Sequence, residues 1–394
     1  MQTFTSNVDS PSVSATTGRP REPSDAIIGA DLGLEIVRNN HASYRQRYLV
    51  EEKADIIQNI SRRSFSSPIS RLPTEILSEI FLYCLPEDEH LVHESKQAPV
   101  LLTKICRRWR EVAVGLPRLW CRLQLEVGYD DWQQRAFCYD FWLKRSGRCP
   151  LSLKLKSSTD WGELRSLLQP HVQQISTLSL DFQSCDGPFM MEDFHALQEL
   201  TIRQDVLYDL ARGTSHTLSK LPVNLRRINM LDLCFNLKKL DFFTDSAWAH
   251  LTHIEISIDG LDAFTRILRL CPNLCSLKMF GVFYSIQTPE PITHTNLQSL
   301  RMSWSVLWST DEQDIGLFNV ITLPNLHVLE VSNAGWWPHG SFAKFLTRSK
   351  CPLERLIFGS GVWTTERQRA EYATLVPSFE FIADPEIDFD VDEE

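Results

Sequence analysis

The sequence predicts an α plus α/β protein, in which a small helical module near the N-terminus is followed by a longer region of strand-and-helix repeats. Two observations lead to this prediction. Apolar side chains recur at helical spacing between residues 67 and 125, and beyond them the phrase Leu-x-x-Leu-x-apolar returns many times. A chain of 394 residues with 43% hydrophobic residues has room for two or three such units.

The first part of the chain holds little that could form a core. Residues 1–30 are rich in Ser, Thr and Pro and are short of large apolar side chains, which predicts a disordered N-terminus. In residues 31–66 apolar and charged side chains alternate in a helical rhythm. Because this rhythm lacks sustained heptads, we expect a helix that packs on the next module rather than a coiled-coil dimer.

The helical module covers residues 67–125. Pro73 suits the first position of a helix, and Ile76, Leu77, Ile80 and Phe81 then fall on one face. A second helix has its own apolar side, formed by Leu102, Ile105, Cys106, Trp109 and Val112. A unit this short buries little surface alone, so we expect either a partner or the rest of the chain to complete its core.

The repeats predict regularly spaced strands in residues 126–379. The middle positions of the phrase are Leu178, Leu200, Ile228, Leu240, Ile254, Leu277, Leu300, Leu329 and Leu356. Most of them step by 22 to 29 residues, the spacing of leucine-rich repeats. Leu240 lies only 12 residues after Ile228 and 14 before Ile254, so one of these three phrases is not a true repeat. Residues 262–270 and 341–349 are predicted connecting helices.

The charge of the chain is concentrated at its C-terminus. Residues 380–394 hold eight acidic and no basic residues, whereas the whole chain has a net charge of −10. A nearly neutral body argues against binding to a nucleic-acid backbone. We expect residues 380–394 to form a solvated acidic tail, and the alternation of Ile387, Phe389 and Val391 with aspartates leaves an edge strand as the alternative.

Composition also indicates the compartment. The ten cysteines include no Cys-x-x-Cys pair, which favours reduced thiols over a disulfide framework. No apolar run approaches the roughly 18 residues that a membrane span needs. The sequence therefore predicts a cytoplasmic or nuclear protein that does not bind a membrane.

No residues with the spacing of a catalytic site stand out. Phosphate-binding glycine motifs are missing, and no nucleophile-and-base pattern is found. His250 and His253 could be imagined as metal ligands, but on a strand they point to opposite faces. Arg107, Arg108 and Arg110 fit a solvated helix face or an acidic partner better than a nucleic acid. We therefore expect no metal, no cofactor and no enzymatic activity.

The helical module resembles the F-box. Four features follow the order found in that family, as in fungal F-box-like proteins: the leucine-proline opening at Leu72, the Ile80-Phe81 pair, the Cys106-Arg107-Arg108-Trp109 stretch and the closing Leu119-Trp120 pair. The repeats resemble those of F-box/leucine-rich-repeat proteins. The resemblance implies a degenerate leucine-rich-repeat solenoid behind the F-box. It also implies linker-binding residues at Leu72, Pro73, Ile76, Leu77, Ile80, Phe81, Leu102, Ile105 and Trp109, with Leu119 and Trp120 bracing the module.

The implied function is that of a substrate adaptor in a cullin-RING ubiquitin ligase of the SCF type. The F-box would bind a Skp-type linker protein and through it a cullin, and the repeats would bind an unknown protein substrate. The alternative is an interaction scaffold outside any ligase, with the F-box-like helices as an N-terminal cap. Four tryptophans could anchor the substrate or merely fill gaps between repeats: Trp304, Trp308, Trp336 and Trp337.

Overall fold

A computed structural model gives the fold. It describes residues 50–53, 68–86, 90–91, 96–127, 132–157, 162–182, 191, 193–204, 221–241, 248–283, 289–305 and 316–382. The chain divides between Pro73 and Thr74 into two units. In the first unit, residues 50–53 are helical and Pro68–Arg71 forms a 3-10 helix. There the Leu72 amide donates to the Ile69 carbonyl at 3.3 Å; Leu72 is half-buried and Pro73 is exposed.

The second unit contains ten α-helices and fifteen strands within the described residues. The helices are α1 Thr74–Tyr83, α2 Leu102–Ile105, α3 Arg107–Val114, α4 Trp132–Arg145, α5 Gly162–Leu168, α6 Leu237–Leu240, α7 Leu261–Leu270, α8 Leu317–Val320, α9 His339–Ser349 and α10 Glu366–Leu375. Two 3-10 helices join them, at Pro117–Trp120 and Gln169–Gln174.

Eleven of the strands form one parallel sheet. They are β1 Arg122–Val127, β2 Leu151–Ser157, β3 Ile175–Phe182, β4 Glu199–Gln204, β5 Arg227–Asn236, β6 His253–Asp259, β7 Ser276–Val282, β9 Ser299–Ser305, β11 Val328–Ser332, β13 Arg355–Phe358 and β15 Ser378–Phe381. The strands lie side by side in chain order. Two small parallel pairs stand apart from it, namely β8 Ile292–Thr293 with β10 Ile321–Thr322, and β12 Gly335–Trp336 with β14 Val362–Trp363.

The leucine phrase sets the register of this sheet. Its middle positions are direct Cα partners on neighbouring strands, in the order Leu178, Leu200, Ile228, Ile254, Leu277, Leu300, Leu329 and Leu356. The row extends in both directions, to Leu123 and Leu153 on one side and to Phe379 on the other. The irregular phrase is also explained, because Leu240 ends helix α6 and belongs to no strand.

The two predicted connecting helices are confirmed. Helix α7 buries Phe264, Ile267 and Leu268, and helix α9 buries Phe342 and Phe345. These side chains belong to the same hydrophobic core as the inward-facing residues of the leucine phrase.

The predicted fold class is wrong. The protein is an α/β arrangement of one 11-stranded parallel sheet with helices, and not a small helical module followed by a leucine-rich-repeat solenoid. Leu77 and Phe81 of α1 belong to the same hydrophobic core as Trp120 and as Leu123 and Leu125 of β1. The leucine phrase reports only which strand residues point inward. It does not indicate whether the neighbouring helices form a separate domain, and in this structure they share the core of the sheet.

The C-terminal part of the sheet reaches into the segment predicted as a solvated tail. Strand β15 includes Glu380 and Phe381 and pairs with β13. The acidic residues beyond position 382, with Ile387, Phe389 and Val391, lie outside the described residues. Within the described ranges, no helix has the length and apolar character that crossing a bilayer requires.

Candidate docking surfaces

Helix α1 has an inner and an outer apolar stripe. Leu77 and Phe81 are fully buried, one turn apart. Ile76 and Ile80, each one residue earlier, are 50% and 40% exposed, and Tyr83 beside them is 88% exposed. Positions separated by three and four residues lie on one helix face, so these three side chains form a continuous apolar strip on the surface. We call this strip, formed by Ile76, Ile80 and Tyr83, the α1 strip.

The turn into α2 adds a second exposed apolar pair. Leu101 already has helical backbone angles, and Ile105 follows it by four residues, so both lie on the same side of this short helix. Leu101 and Ile105 are exposed, the latter by 55%, whereas Leu102 between them is buried. In the same turn, the Thr103 hydroxyl donates a hydrogen bond to the Val100 carbonyl at 2.7 Å.

Helix α3 fixes the back of α1. Cys106 caps its start, where the Sγ atom accepts a hydrogen bond from the Trp109 amide at 3.4 Å. The half-buried Trp109 ring then packs on Phe81, with ring centroids 4.9 Å apart. Ala113 near the end of α3 accepts a hydrogen bond from the indole of Trp120 at 2.8 Å. The α1 strip therefore lies on a helix whose opposite side is fixed by packing.

The nine predicted linker-binding residues lie in different environments in the structure. Within the second unit, Leu77, Phe81 and Leu102 are core residues, and Trp109 is half-buried against Phe81. The residues left on the surface there are Ile76, Ile80 and Ile105. Leu119 and Trp120 are buried, as expected for bracing residues. Sequence reasoning missed Tyr83 and Leu101, although each lies three or four residues from a predicted contact.

Of the three proposed anchor tryptophans that the structure describes, two are internal. Trp304 and Trp337 are buried and stack on each other, with ring centroids 6.5 Å apart. The Trp337 indole also donates to the Tyr372 hydroxyl at 2.9 Å. These two side chains fill the core, which matches the alternative interpretation. Trp336 is exposed, and Trp308 lies outside the described residues.

A cavity of about 450 Å³ lies on the outer face of the sheet, where strands β5, β6, β7, β9 and β11 run side by side. Volumes of this size are typical of ligand sites in proteins. Its lining combines two cations, one carboxylate, an aromatic ring and several hydroxyls: Leu231, Ser257, Lys278, Met279, Phe280, Arg301, Met302, Ser303, Glu330 and Ser332.

The histidines weighed as metal ligands have separate partners. His250 Nε2 lies 3.3 Å from the Pro222 carbonyl oxygen, and His253 Nδ1 lies 2.9 Å from the Thr252 hydroxyl. In the described part of the chain, no group of three or more His, Cys, Asp or Glu side chains is arranged to hold a metal ion.

One histidine near the start of the sheet has a strongly shifted pKa. The His90 ring shares a hydrogen bond of 2.9 Å with the Ser152 hydroxyl of β2. Burial, together with the positive charges of Lys154 and Arg122, lowers the pKa of His90 from 6.5 to about 4. The neighbouring Leu91 forms a bridge to Leu123 of β1. A neutral His90 therefore belongs to the packing at the first edge of the sheet.

Similarity to known proteins does not assign these surfaces. No protein-family model matches the chain, and no curated protein matches it.

Proposed function

We propose that this chain is a substrate-recognition adaptor of a cullin-RING ubiquitin ligase of the SCF type. The α1 strip, together with Leu101 and Ile105, binds a Skp-type linker protein and through it a cullin. The large parallel sheet holds a protein substrate. The chain itself performs no covalent chemistry. It acts in the cytoplasm or nucleus by holding its substrate near the ubiquitin-transferring subunits, which raises the local concentration of the reacting groups.

The observation that supports this proposal most directly is the exposure of large apolar side chains on a rigid base. Ile76, Ile80 and Ile105 leave about half of their surface in water. Burying one such side chain fully contributes about 1.5 to 3 kcal/mol, so a partner that covers the strip gains considerable free energy. An amphipathic helix whose apolar residues face outward is also a common element of protein-protein docking.

A second candidate is supported by a different observation. The helices between residues 74 and 120 share their core with β1, so they already cover the first part of the sheet without a partner. In this candidate the protein is an interaction scaffold outside any ligase, and the helices serve as a cap. A cap needs Leu77, Phe81 and Trp120, but it gives no role to the exposed Ile76, Ile80 and Ile105.

Co-expression with a Skp-type linker separates the two candidates. The full chain and the linker should elute from a sizing column as one complex that also recruits the N-terminal part of a cullin. Ile80→Asp and Ile105→Asp, each at an exposed position, should release the linker while the melting temperature of the chain stays nearly unchanged. If the wild-type chain elutes apart from the linker, the adaptor proposal fails and the scaffold remains.

A further inference from the structure

The outer face of the sheet has an ordered row of four charges, three of which line the cavity, while Glu255 lies on the neighbouring strand beside Lys278. Glu255, Lys278, Arg301 and Glu330 are successive Cα partners on β6, β7, β9 and β11. Their charges read negative, positive, positive, negative. Because all four side chains leave the same face, a molecule lying across the strands meets them in this order.

The two cations turn away from each other. The Lys278 ammonium pairs with Glu255 at 3.5 Å, and Arg301 Nε pairs with Glu330 at 3.1 Å. Like charges that face each other on neighbouring strands repel, so each cation leans on the carboxylate on its outer side. All four side chains remain between 39% and 54% exposed, which leaves them open to a ligand. The centre of the row is thus positive and both of its ends are negative.

Beside the charged row lies a surface for apolar contact. Phe280, two residues beyond Lys278 on β7, is 41% exposed. Ser257, Ser303 and Ser332 line the cavity in the same row as Phe280. Exposed aromatic rings are frequent anchors in interfaces, and the aliphatic stems of lysine and arginine can pack on them.

The spacing of the row matches an extended peptide. Neighbouring strands are about 4.8 Å apart, so the first and last charges of the row are separated by about 14 Å. In an extended peptide, residues two positions apart point to one side and are about 6.7 Å apart. Three such side chains span about 13 Å, which places the outer two over the carboxylates and the middle one between the cations.

We propose that this cavity binds an extended protein segment with the order basic-x-acidic-x-basic, laid across β6, β7, β9 and β11. The acidic side chain sits between Lys278 and Arg301, and the basic side chains meet Glu255 and Glu330. That the segment belongs to a ubiquitylation substrate rests on the proposed function. The binding itself does not, because it needs only this chain.

The test uses fluorescence anisotropy with blocked, labelled peptides and the purified full chain. One peptide has the order basic-x-acidic-x-basic, and a second has the same composition in the order acidic-x-basic-x-basic. Both have the same net charge, so general attraction affects them equally. We expect the first peptide to bind about fivefold to tenfold more tightly. Equal binding of the two, or no binding of either at millimolar concentration, would overturn the proposal.

A charge exchange provides the decisive variant. Glu255→Lys, Lys278→Glu, Arg301→Glu and Glu330→Arg together keep both ion pairs and the net charge but invert the row. This variant should lose its preference for basic-x-acidic-x-basic and prefer acidic-x-basic-x-acidic. As a matched control, Glu199→Arg with Arg227→Glu exchanges a cross-strand pair of 3.0 Å that lies outside the cavity lining, and it should behave as wild type.

The outcomes separate this site from the adaptor proposal. An unchanged peptide preference in the inverted variant would refute the site, whatever happens to the linker. Loss of the linker complex with intact peptide preference would refute the adaptor role and leave the site standing. The inverted variant should also melt within a few degrees of wild type, because the exchanged side chains are between 39% and 54% exposed and keep their ion pairs, and only the hydrogen bond from Asn229 to Glu255 is lost.

Discussion

The indole ring of Trp142 lies edge-on against the ring of Trp120, with centroids 5.0 Å apart, and its Nε1 donates to the Trp120 carbonyl at 3.1 Å. Trp142 belongs to α4, which follows β1, whereas Trp120 ends the helical segment that precedes β1. Arg145 adds a cation above the Trp120 ring, 4.5 Å from its centroid. This contact connects the helical segment that precedes β1, which includes the α1 strip, to helix α4.

Loss of this contact should destabilise the whole second unit. Trp142→Leu removes a ring that is 1% exposed and a buried hydrogen bond, and we expect a loss of about 2 to 4 kcal/mol in the free energy of unfolding. Urea denaturation followed by circular dichroism measures it. Trp336→Leu is the control, because that residue is 46% exposed, and it should cost less than about 1 kcal/mol. Equal losses would argue against the shared core.

The central leucine row should be similarly sensitive. Leu300→Ala leaves a cavity at a fully buried position in the row that runs through all eleven strands, so we expect a cost of about 2 to 5 kcal/mol. Leu375→Ala makes the same change at an exposed position of α10 and should be nearly neutral. Chemical denaturation of the two variants side by side checks the register of the strands. An unchanged denaturation midpoint for Leu300→Ala would refute that register.

Tyr372 of α10 contacts both Trp337 and the first residue of α9, His339, through one hydroxyl. Its oxygen accepts from the Trp337 indole at 2.9 Å and lies 2.6 Å from His339 Nδ1. Tyr372→Phe leaves a buried indole N–H without this acceptor, so it should lower stability by about 1 to 3 kcal/mol. The same substitution at the exposed Tyr83 removes only a solvated hydroxyl. Thermal melts should therefore shift for Tyr372→Phe alone, and a shift of equal size in both would contradict the buried role.

His90 makes the stability of the protein sensitive to mild acid. Its pKa is about 4 in the folded chain, against 6.5 without the fold. Between these values the unfolded chain binds a proton that the folded chain does not, so stability falls as the pH drops from about 6.5 towards 4. His90→Gln keeps a group that can bond to Ser152 but cannot titrate. The wild type should lose more stability than this variant over that pH range, whereas parallel pH profiles would contradict the shifted pKa.

The strand register was predictable because it depends on a local rule. In a parallel strand the residues that face the core alternate, so a phrase such as Leu274-x-x-Leu277-x-Met279 reports directly which side chains point inward. The same rule overlooked β1, β2 and β15, because Trp120, Pro150 and Val376 stand where the phrase has its first leucine. Alternating Leu151, Leu153 and Leu155 were a visible signal of a strand that the search for the full phrase did not use.

The outer surfaces were less predictable because they depend on the rest of the fold. Helical periodicity groups Ile76, Leu77, Ile80 and Phe81 on one side, but only packing decides that Leu77 and Phe81 face inward. The charged row across the cavity could not be found either. Its members Glu255 and Glu330 lie 75 residues apart, and only the order of the strands brings them to one face.

The dissociation constant of the complex between this chain and a Skp-type linker tests the docking role of the α1 strip most directly. Isothermal titration should give a specific complex for the wild type, and Ile76→Ala with Ile80→Ala should weaken it by about thirtyfold or more. Phe137→Ala with Phe141→Ala removes an even more exposed apolar pair from α4 and should leave the affinity unchanged. Equal affinities for the wild type and the Ile76/Ile80 variant would contradict the docking role.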